Sequence, residues 1–134
     1  MDDVLKAKLD ATGLNYKVDD DGDGRLLFQT TEDRSQIVWI DSKKDKFSEY
    51  EDWDIFSYVA DVPEGDLSGP EATFLLKKNG TFKAGNFMIR GTKLMFKLEV
   101  SCDISPNALK DALVMIAHTA DKYENIMNEG GDTF

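Results

Sequence analysis

The chain has few of the residues that most often carry catalysis or bind metal. Its 134 residues include one histidine, His118, and one cysteine, Cys102. A single cysteine cannot form an internal disulfide, and one residue of each type cannot supply the clustered ligands of a zinc site. A nucleophilic pair would need Cys102 and His118 to meet in space with an acid behind them. The sequence also lacks a nucleophile elbow and a phosphate-binding glycine loop. We therefore predict no enzymatic activity and no cofactor.

Long apolar runs and positive charge are also scarce. No stretch approaches the roughly 20 apolar residues of a membrane span. The first four residues are acidic and amphipathic and do not resemble a signal peptide. Sixteen basic residues against 26 acidic residues give a net charge of −10, which repels phosphate backbones and anionic lipid. We expect a cytoplasmic bacterial protein that binds neither nucleic acid nor membrane. The acidic balance either keeps the protein soluble or suits a basic or amphipathic protein partner.

Apolar residues are plentiful enough for one independent core. They make up 41% of the chain, with eight Phe, four Tyr and two Trp. A chain of this size buries roughly two-thirds of its unfolded surface. We predict a single domain over residues 1–134. Residues 128–134 contain Gly130 and Gly131, and we expect them to fray.

The second half of the chain predicts a hairpin followed by a long helix. Apolar residues alternate from Leu94 to Val100, as in a half-buried strand, and Gly91 separates this run from the preceding one. Ser105 and Pro106 suit the cap and first position of a helix. One helix face is then apolar. Its residues are Leu109, Leu113, Ile116, Ala117, Ala120 and Tyr123.

The first half of the chain predicts a helix, four strands and a second helix. Gly13 is a natural end for the first helix. A capping box at Ser68 and Glu71 begins the second helix, which ends near Asn79. The predicted strands cover Leu14–Val18, Leu26–Thr30, Ile37–Ile40 and Trp53–Ala60, with a charged loop over Asp41–Asp54. The order α-β-β-β-β-α-β-β-α indicates an α+β fold, an antiparallel sheet with helices packed on it.

The turn from Asp19 to Gly24 contains the only candidate metal ligands. Asp19, Asp21 and Asp23 match the first three ligand positions of a calcium loop, but the twelfth position is Thr30, which has no carboxylate. The flanking segments also predict strands, whereas calcium loops join helices. We therefore predict a tight turn without a metal.

Several stretches resemble the YbjN-type family within the type III secretion chaperone-like fold. They are Phe74–Phe82, Ala84–Phe87, Leu94–Leu98 and Thr119–Lys122, within a resemblance that covers about Leu5 to Tyr123. The resemblance implies a small, acidic, cytoplasmic and dimeric protein. Secretion chaperones of this fold hold an extended segment of an effector against sheet and helix surfaces, whereas YbjN-like members are linked to regulation.

The first functional hypothesis is a non-enzymatic protein-binding domain, chaperone-like or regulatory. It would bury an apolar segment of a partner on exposed sheet surface or edge, with an acidic rim steering basic partners. Trp53, Phe56 and Tyr58 are the candidate partner-binding residues, although aromatics at strand spacing also pack in cores. One alternative is a small-ligand or metal-responsive domain that uses the Asp19–Asp23 turn. Another is a structural subunit that self-associates. We expect a homodimer with a protein partner.

Overall fold

The protein has an antiparallel sheet with three helices, which confirms the α+β class. The computed structural model describes residues 1–31, 33–43, 45–47 and 50–129. The helices are α1 (Asp3–Thr12), α2 (Gly69–Asn79) and α3 (Pro106–Glu129), with a 3₁₀ turn at Pro63–Gly65. The strands in these ranges are β1 (Lys17–Val18), β2 (Gly24–Thr31), β3 (Arg34–Ile40), β4 (Asp45–Phe47), β5 (Tyr50–Asp61), β6 (Asn86–Arg90) and β7 (Lys93–Ser101).

Strand β5 lies at the centre of the sheet. The strand order is β1-β2-β3-β5-β7-β6, and β4 pairs with the first part of β5. All of these pairs are antiparallel. The sequence therefore builds the sheet from neighbouring hairpins, while α2 lies between β5 and the hairpin of β6 and β7.

The predicted loop over Asp41–Asp54 contains strand structure instead. β4 pairs with β5 in this region, and β5 begins at Tyr50. The loop prediction holds for residues 41–43, but from Asp45 onward it was wrong because it used side-chain polarity. Here β5 has β4 on one side and β7 on the other, so backbone pairing determines the conformation. Residues 44, 48 and 49 of the predicted loop lie outside the described residues.

Two predicted strands are shorter than expected. Only Lys17–Val18 pair in the first of them, and the run predicted over Phe82–Ile89 forms a strand only over Asn86–Arg90. The final helix ends at Glu129, and the fraying expected over residues 128–134 stays a prediction. Residues 130–134 lie outside the described part of the chain.

The core lies on one side of the sheet, under all three helices. Helix α3 packs on the sheet, and α1 packs beside α3. Fully buried members of this core are Leu5, Leu9, Val38, Ile40, Trp53, Ile55, Phe96, Leu109, Leu113, Ile116, Ala117 and Ala120. Because consecutive strand residues point to opposite faces, every second side chain of these strands points away from this core.

The local signals at the helix ends are confirmed. The Ser68 hydroxyl accepts a hydrogen bond from the Glu71 N–H at 3.2 Å, and the Glu71 carboxylate accepts one from the Ser68 N–H at 3.2 Å. The Ser105 hydroxyl accepts from the Ala108 N–H at 3.1 Å. Gly91 has φ of 60° in the β6–β7 turn, a conformation that glycine adopts without a steric cost.

None of the helices in the described ranges is both long enough and apolar enough to cross a membrane.

Candidate binding face of the sheet

One face of the sheet has no helix packed on it in the described residues. The three helices place their buried side chains in the single core on the opposite face. Strand alternation and cross-strand pairing put a row of apolar side chains on the uncovered face. We call this row the open-face strip. Its members are Leu27, Ile37, Trp39, Phe56, Tyr58, Met88 and Met95.

Cross-strand pairs connect the strip across five strands. The directly opposite pairs are Leu27 with Ile37, Trp39 with Phe56, Tyr58 with Met95, and Met95 with Met88. Leu27 is 69% exposed and Tyr58 is 37% exposed, whereas Met95 is buried beneath its neighbours. The strip is therefore an apolar row in which side chains of different exposure are neighbours, and its most accessible side chain lies on β2.

Three aromatic rings at the centre of the strip pack on one another. Trp39 and Phe56 are stacked, with ring centroids 5.9 Å apart and an interplanar angle of 12°. The centroid of the Tyr58 ring lies 4.8 Å from the centroid of the Trp39 ring and 5.8 Å from that of the Phe56 ring, which Tyr58 meets edge-on. Such ring pairs restrict each other's rotation, so the cluster loses little conformational entropy on binding.

Cations flank these rings on the side of β6 and β7. The Arg90 guanidinium lies 5.8 Å from the centre of the Phe56 ring, and the Lys93 ammonium lies 5.9 Å from that of Tyr58. Lys93 also forms an ion pair with Asp61. The rim beside the rings therefore carries cations as well as acids.

Lys97 is a further cation on this side of the face, and acidic residues neutralise it. Its ammonium lies 3.7 Å from the Asp54 carboxylate and 3.1 Å from the Glu99 carboxylate. Asp54 is itself largely buried. Lys97 therefore belongs to a local ion-pair network at the edge of the strip.

A groove of about 480 Å³ extends the strip toward β1. It is lined by Asn15, Tyr16, Lys17, Arg25, Leu27 and Ile37. Lys17 and Arg25 are directly opposite each other in the β1–β2 pairing, and both are exposed. This end of the strip therefore combines an apolar floor with two adjacent positive charges.

The sheet separates between β3 and β5, and polar side chains fill the gap. The two strands pair only at Trp39 with Phe56 and at Ile40 with Ile55. Beyond these pairs, the Gln36 amide donates to the Ser57 hydroxyl at 2.8 Å and to the Tyr58 carbonyl at 2.7 Å. The Ser57 hydroxyl donates to the Ile37 carbonyl. Side-chain hydrogen bonds therefore replace the missing backbone pairing at this point.

A carboxylate of α3 lies at this gap. Glu124 lines a groove together with Trp39 and Tyr58. Burial, and secondly the Asp121 carboxylate, raise the pKa of Glu124 above its ordinary value of 4.5, while the Arg34 guanidinium lowers it. Arg34 and Asp121 themselves form an ion pair at 2.6 Å. The centre of the strip thus carries one partly buried acid beneath its rings.

The predicted partner-binding residues do not all lie on this face. Phe56 and Tyr58 belong to the strip, but Trp53 is fully buried in the core under the helices. Trp53 therefore cannot contact a partner in the folded protein. Sequence reasoning missed Trp39 and Leu27, although the alternation of Leu27 with its core-facing neighbours Leu26 and Phe28 indicated that Leu27 points outward.

The structure does not bring Cys102 and His118 together. Cys102 is half-buried in the turn before α3, and its carbonyl accepts a hydrogen bond from the Lys8 ammonium. His118 is exposed, twelve residues beyond the start of α3 at Pro106. Twelve residues of helix correspond to about 18 Å along its axis. A nucleophile–base pair of these two residues is not formed.

The acidic turn brings three carboxylates together. One oxygen from each of Asp19, Asp21 and Asp23 lies within 4.8 Å of the others. The Asp19 carboxylate accepts from the N–H groups of Asp21 and Asp23 at 3.0 and 2.9 Å, and the Asp23 carboxylate accepts from the Ser42 N–H at 3.0 Å. Burial raises the pKa of Asp23, whereas the Ser42 N–H lowers it.

The remainder of a calcium loop is not formed around these three acids. Thr30, at the position of the closing ligand, lies near the far end of β2, where its hydroxyl donates to the Arg34 carbonyl at 3.4 Å. The six residues of strand between Gly24 and Thr30 span roughly 20 Å. Backbone N–H groups therefore bind two of the three clustered carboxylates, those of Asp19 and Asp23.

The chain matches no protein-family model and shows no significant similarity to a curated protein. The resemblance to the YbjN-type family therefore stays a prediction, and function is inferred from the open-face strip.

Proposed function

We propose that the protein is a non-enzymatic binding domain that holds a segment of another polypeptide on the open-face strip. The observation that carries this proposal is the uncovered sheet face, with its packed rings and the 69% exposed Leu27. Contiguous apolar surface on a folded domain commonly marks an interaction site. The resemblance to YbjN-type proteins adds support for a chaperone-like or regulatory role in the cytoplasm.

The shape and chemistry of the strip favour a polypeptide over a nucleic acid. Stacking of bases needs free ring faces, but Trp39 and Phe56 are stacked on each other, and Arg90 lies beside Phe56. Leu27 and Ile37 extend the strip with aliphatic surface, which suits apolar side chains of a peptide. The net charge of −10 also opposes a phosphate backbone.

The arrangement of reactive groups supports binding without turnover. Cys102 and His118 lie on different segments of the fold, and the strip itself consists of aromatic and aliphatic side chains. Glu124 at the gap between β3 and β5 is the carboxylate that lines the central groove. Acid–base catalysis needs a positioned donor and acceptor at the same reacting group. The other titratable side chain that lines this groove in the described ranges is the Tyr58 phenol, whose ring packs on Trp39 and Phe56.

A matched pair of leucine variants tests the location of the site. Leu27 on the strip and Leu76 on α2 are 69% and 70% exposed. We expect Leu27→Asp to weaken binding to apolar peptides selected from a displayed library at least about tenfold, because a charge then faces the ligand's apolar groups. Leu76→Asp should bind as the unsubstituted protein does. Equal losses in both variants, or a loss in neither, would place the site elsewhere.

An activity screen tests the absence of turnover. We expect no hydrolase or transferase activity from the purified protein. Reproducible turnover that a single carboxylate substitution abolishes, in a variant that still folds, would overturn the non-enzymatic proposal.

A further inference from the structure

We propose that the segment held on the open-face strip is acidic at both ends, with its carboxylates on Lys17 and Arg25 at one end and on Arg90 at the other. This inference rests on the proposed function and specifies the chemistry of the partner. It also reverses the expectation that an acidic protein selects a basic partner.

The pairing of Lys17 with Arg25 is the first observation. The β1–β2 register places these two cations directly opposite each other on the open face. Like charges in this position destabilise a sheet. The chain has 26 acidic residues, yet neither cation forms an ion pair with an acid in the described ranges. An anionic ligand would relieve this repulsion.

The groove beside these two cations is the second observation. Its floor contains Leu27 and Ile37, and no acidic side chain of the described residues lines it. The groove therefore suits an anionic group attached to an apolar one. An aspartate or glutamate next to a large apolar residue in a peptide has this chemistry, because its carboxylate can bind Arg25 bidentately while its neighbour packs on Leu27.

Arg90 supplies the third observation, at the opposite side of the strip. Lys93 and Lys97 are already paired with acids there. Arg90 is exposed, lies beside the Phe56 ring and makes no ion pair within the described part of the chain. Its guanidinium retains donors for a carboxylate while its plane contacts the aromatic cluster.

The register gives the spacing that the partner must span. Arg25 lies in the same cross-strand row as Trp39, Phe56, Lys97 and Asn86. Arg90 is four strand spacings from Arg25, roughly 19 Å, and four residues further along β6, roughly 13 Å. The separation is on the order of 23 Å, which an extended peptide covers with about seven residues. Glu124 lies under the middle of this path, so the central residues should be apolar and uncharged.

Peptides with one apolar centre of about six residues and different ends test the inference on the full chain. Their ends carry glutamate, glutamine or lysine, and a thymidine oligonucleotide is the fourth probe. Fluorescence anisotropy of labelled peptides measures each Kd. We expect the glutamate peptide to bind at least about tenfold more tightly than the lysine peptide at low salt, with the advantage shrinking as salt rises.

Charge-neutralising variants locate the effect. The triple variant Lys17→Gln, Arg25→Gln and Arg90→Gln should abolish the advantage of the glutamate peptide over the glutamine peptide. Lys110→Gln, at an exposed position of α3, is the matched control and should change neither affinity.

The outcomes separate this inference from the proposed function. Equal affinities for all three peptides, or preference for the lysine peptide, would overturn the acidic partner while leaving peptide binding intact. Failure of all three peptides to bind would overturn the proposed function itself. Tighter binding of the oligonucleotide, lost in the triple variant, would replace the polypeptide with a nucleic acid.

Discussion

Ser57 is a fully buried polar residue whose hydroxyl joins β3 to β5 where their backbone pairing stops. It accepts a hydrogen bond from the Gln36 amide and donates one to the Ile37 carbonyl. Both partners would lose a hydrogen bond at this site if the hydroxyl were removed. A buried group left without its partner costs about 1–3 kcal/mol.

We therefore expect Ser57→Ala to lower the free energy of unfolding by about 1–3 kcal/mol. Urea denaturation followed by circular dichroism measures the change. Ser35→Ala, at an exposed position of β3, is the control and should change stability by less than about 0.5 kcal/mol. If the two variants have the same stability, the hydrogen bonds in the gap contribute nothing.

The Glu124 carboxyl predicts a pH-dependent term in stability. Burial is the main cause that raises its folded-state pKa above the ordinary value of 4.5. Between these two values the folded state binds more protons than the unfolded state, so this group reduces stability as pH rises. The penalty is absent well below pH 4.5 and complete above the folded-state pKa.

Glu124→Gln removes this penalty. We expect the variant to match the unsubstituted protein in acid and to become the more stable of the two as pH increases to 7. Thermal unfolding of both proteins across pH 4 to 7 provides the comparison. A stability difference that stays constant over this range would contradict the assignment.

Individual residues show which structural features can be predicted from the sequence alone. Caps such as Ser68 were predictable because their hydrogen bonds involve residues only three positions away. Trp39 and Trp53 both lie on strands with alternating or continuous apolar residues, but one lies on the open face and the other is fully buried. Which face the helices cover depends on contacts distant in sequence, so the sequence pattern alone could not distinguish the two tryptophans.

Among the secondary-structure elements, β6 is an edge strand that a side chain of α2 covers. The Asn79 amide donates to the Phe87 carbonyl at 3.3 Å, and the Phe87 N–H donates to the Asn79 carbonyl oxygen at 2.7 Å. These two bonds occupy backbone groups that face away from β7 and would otherwise pair with another strand. Covering an exposed edge in this way limits association between sheets.

We expect Asn79→Ala to expose this edge. The free energy of unfolding should fall by about 1–2 kcal/mol because two backbone groups lose their partners, and the protein should aggregate faster at high concentration. Unfolding by urea and turbidity on concentration measure the two effects. Asn86→Ala, at an exposed position of β6, is the control. Unchanged stability and solubility in Asn79→Ala would show that the edge needs no cover.

The turn between β1 and β2 should not bind calcium. The Asp19 and Asp23 carboxylates accept backbone hydrogen bonds, and Thr30 cannot supply the closing carboxylate. We expect an isothermal titration with calcium to be flat. A micromolar dissociation constant that disappears in Asp21→Ala would contradict this expectation and support a metal-responsive domain.

Strand β7 and helix α3 were the elements best predicted from sequence. In β7 and α3 the apolar period matches the structure, because each has one face in the core and one outside it. The segment from Asp41 to Asp54 lacks such a period. Its strands depend on pairing with β5 and β7, and a one-dimensional pattern does not contain that information.

At the scale of the whole molecule, the packing of the helix layer on the sheet determines which surfaces stay exposed for binding. The helices cover one face of the sheet, and the open-face strip occupies the other. A second apolar patch lies outside the strip, where Leu76 on α2 and Ile89 on β6 border a groove of about 270 Å³. Asn79 blocks strand addition at Phe87 beside this groove, so a partner there must contact side chains.

We expect a homodimer that uses this second patch and leaves the strip free for the bound segment. Light scattering should give a mass of about twice 15.1 kDa, with Leu76→Asp monomeric and Leu27→Asp still dimeric. The reason is that a charge at a buried apolar contact costs more than the contact contributes.

A mass near 15.1 kDa across micromolar concentrations would exclude the dimer. If Leu27→Asp dissociates the dimer and Leu76→Asp does not, the strip is the self-association surface. The protein is then a structural subunit. The peptide-binding proposal also fails in that case, because it requires a strip that the second copy does not occupy.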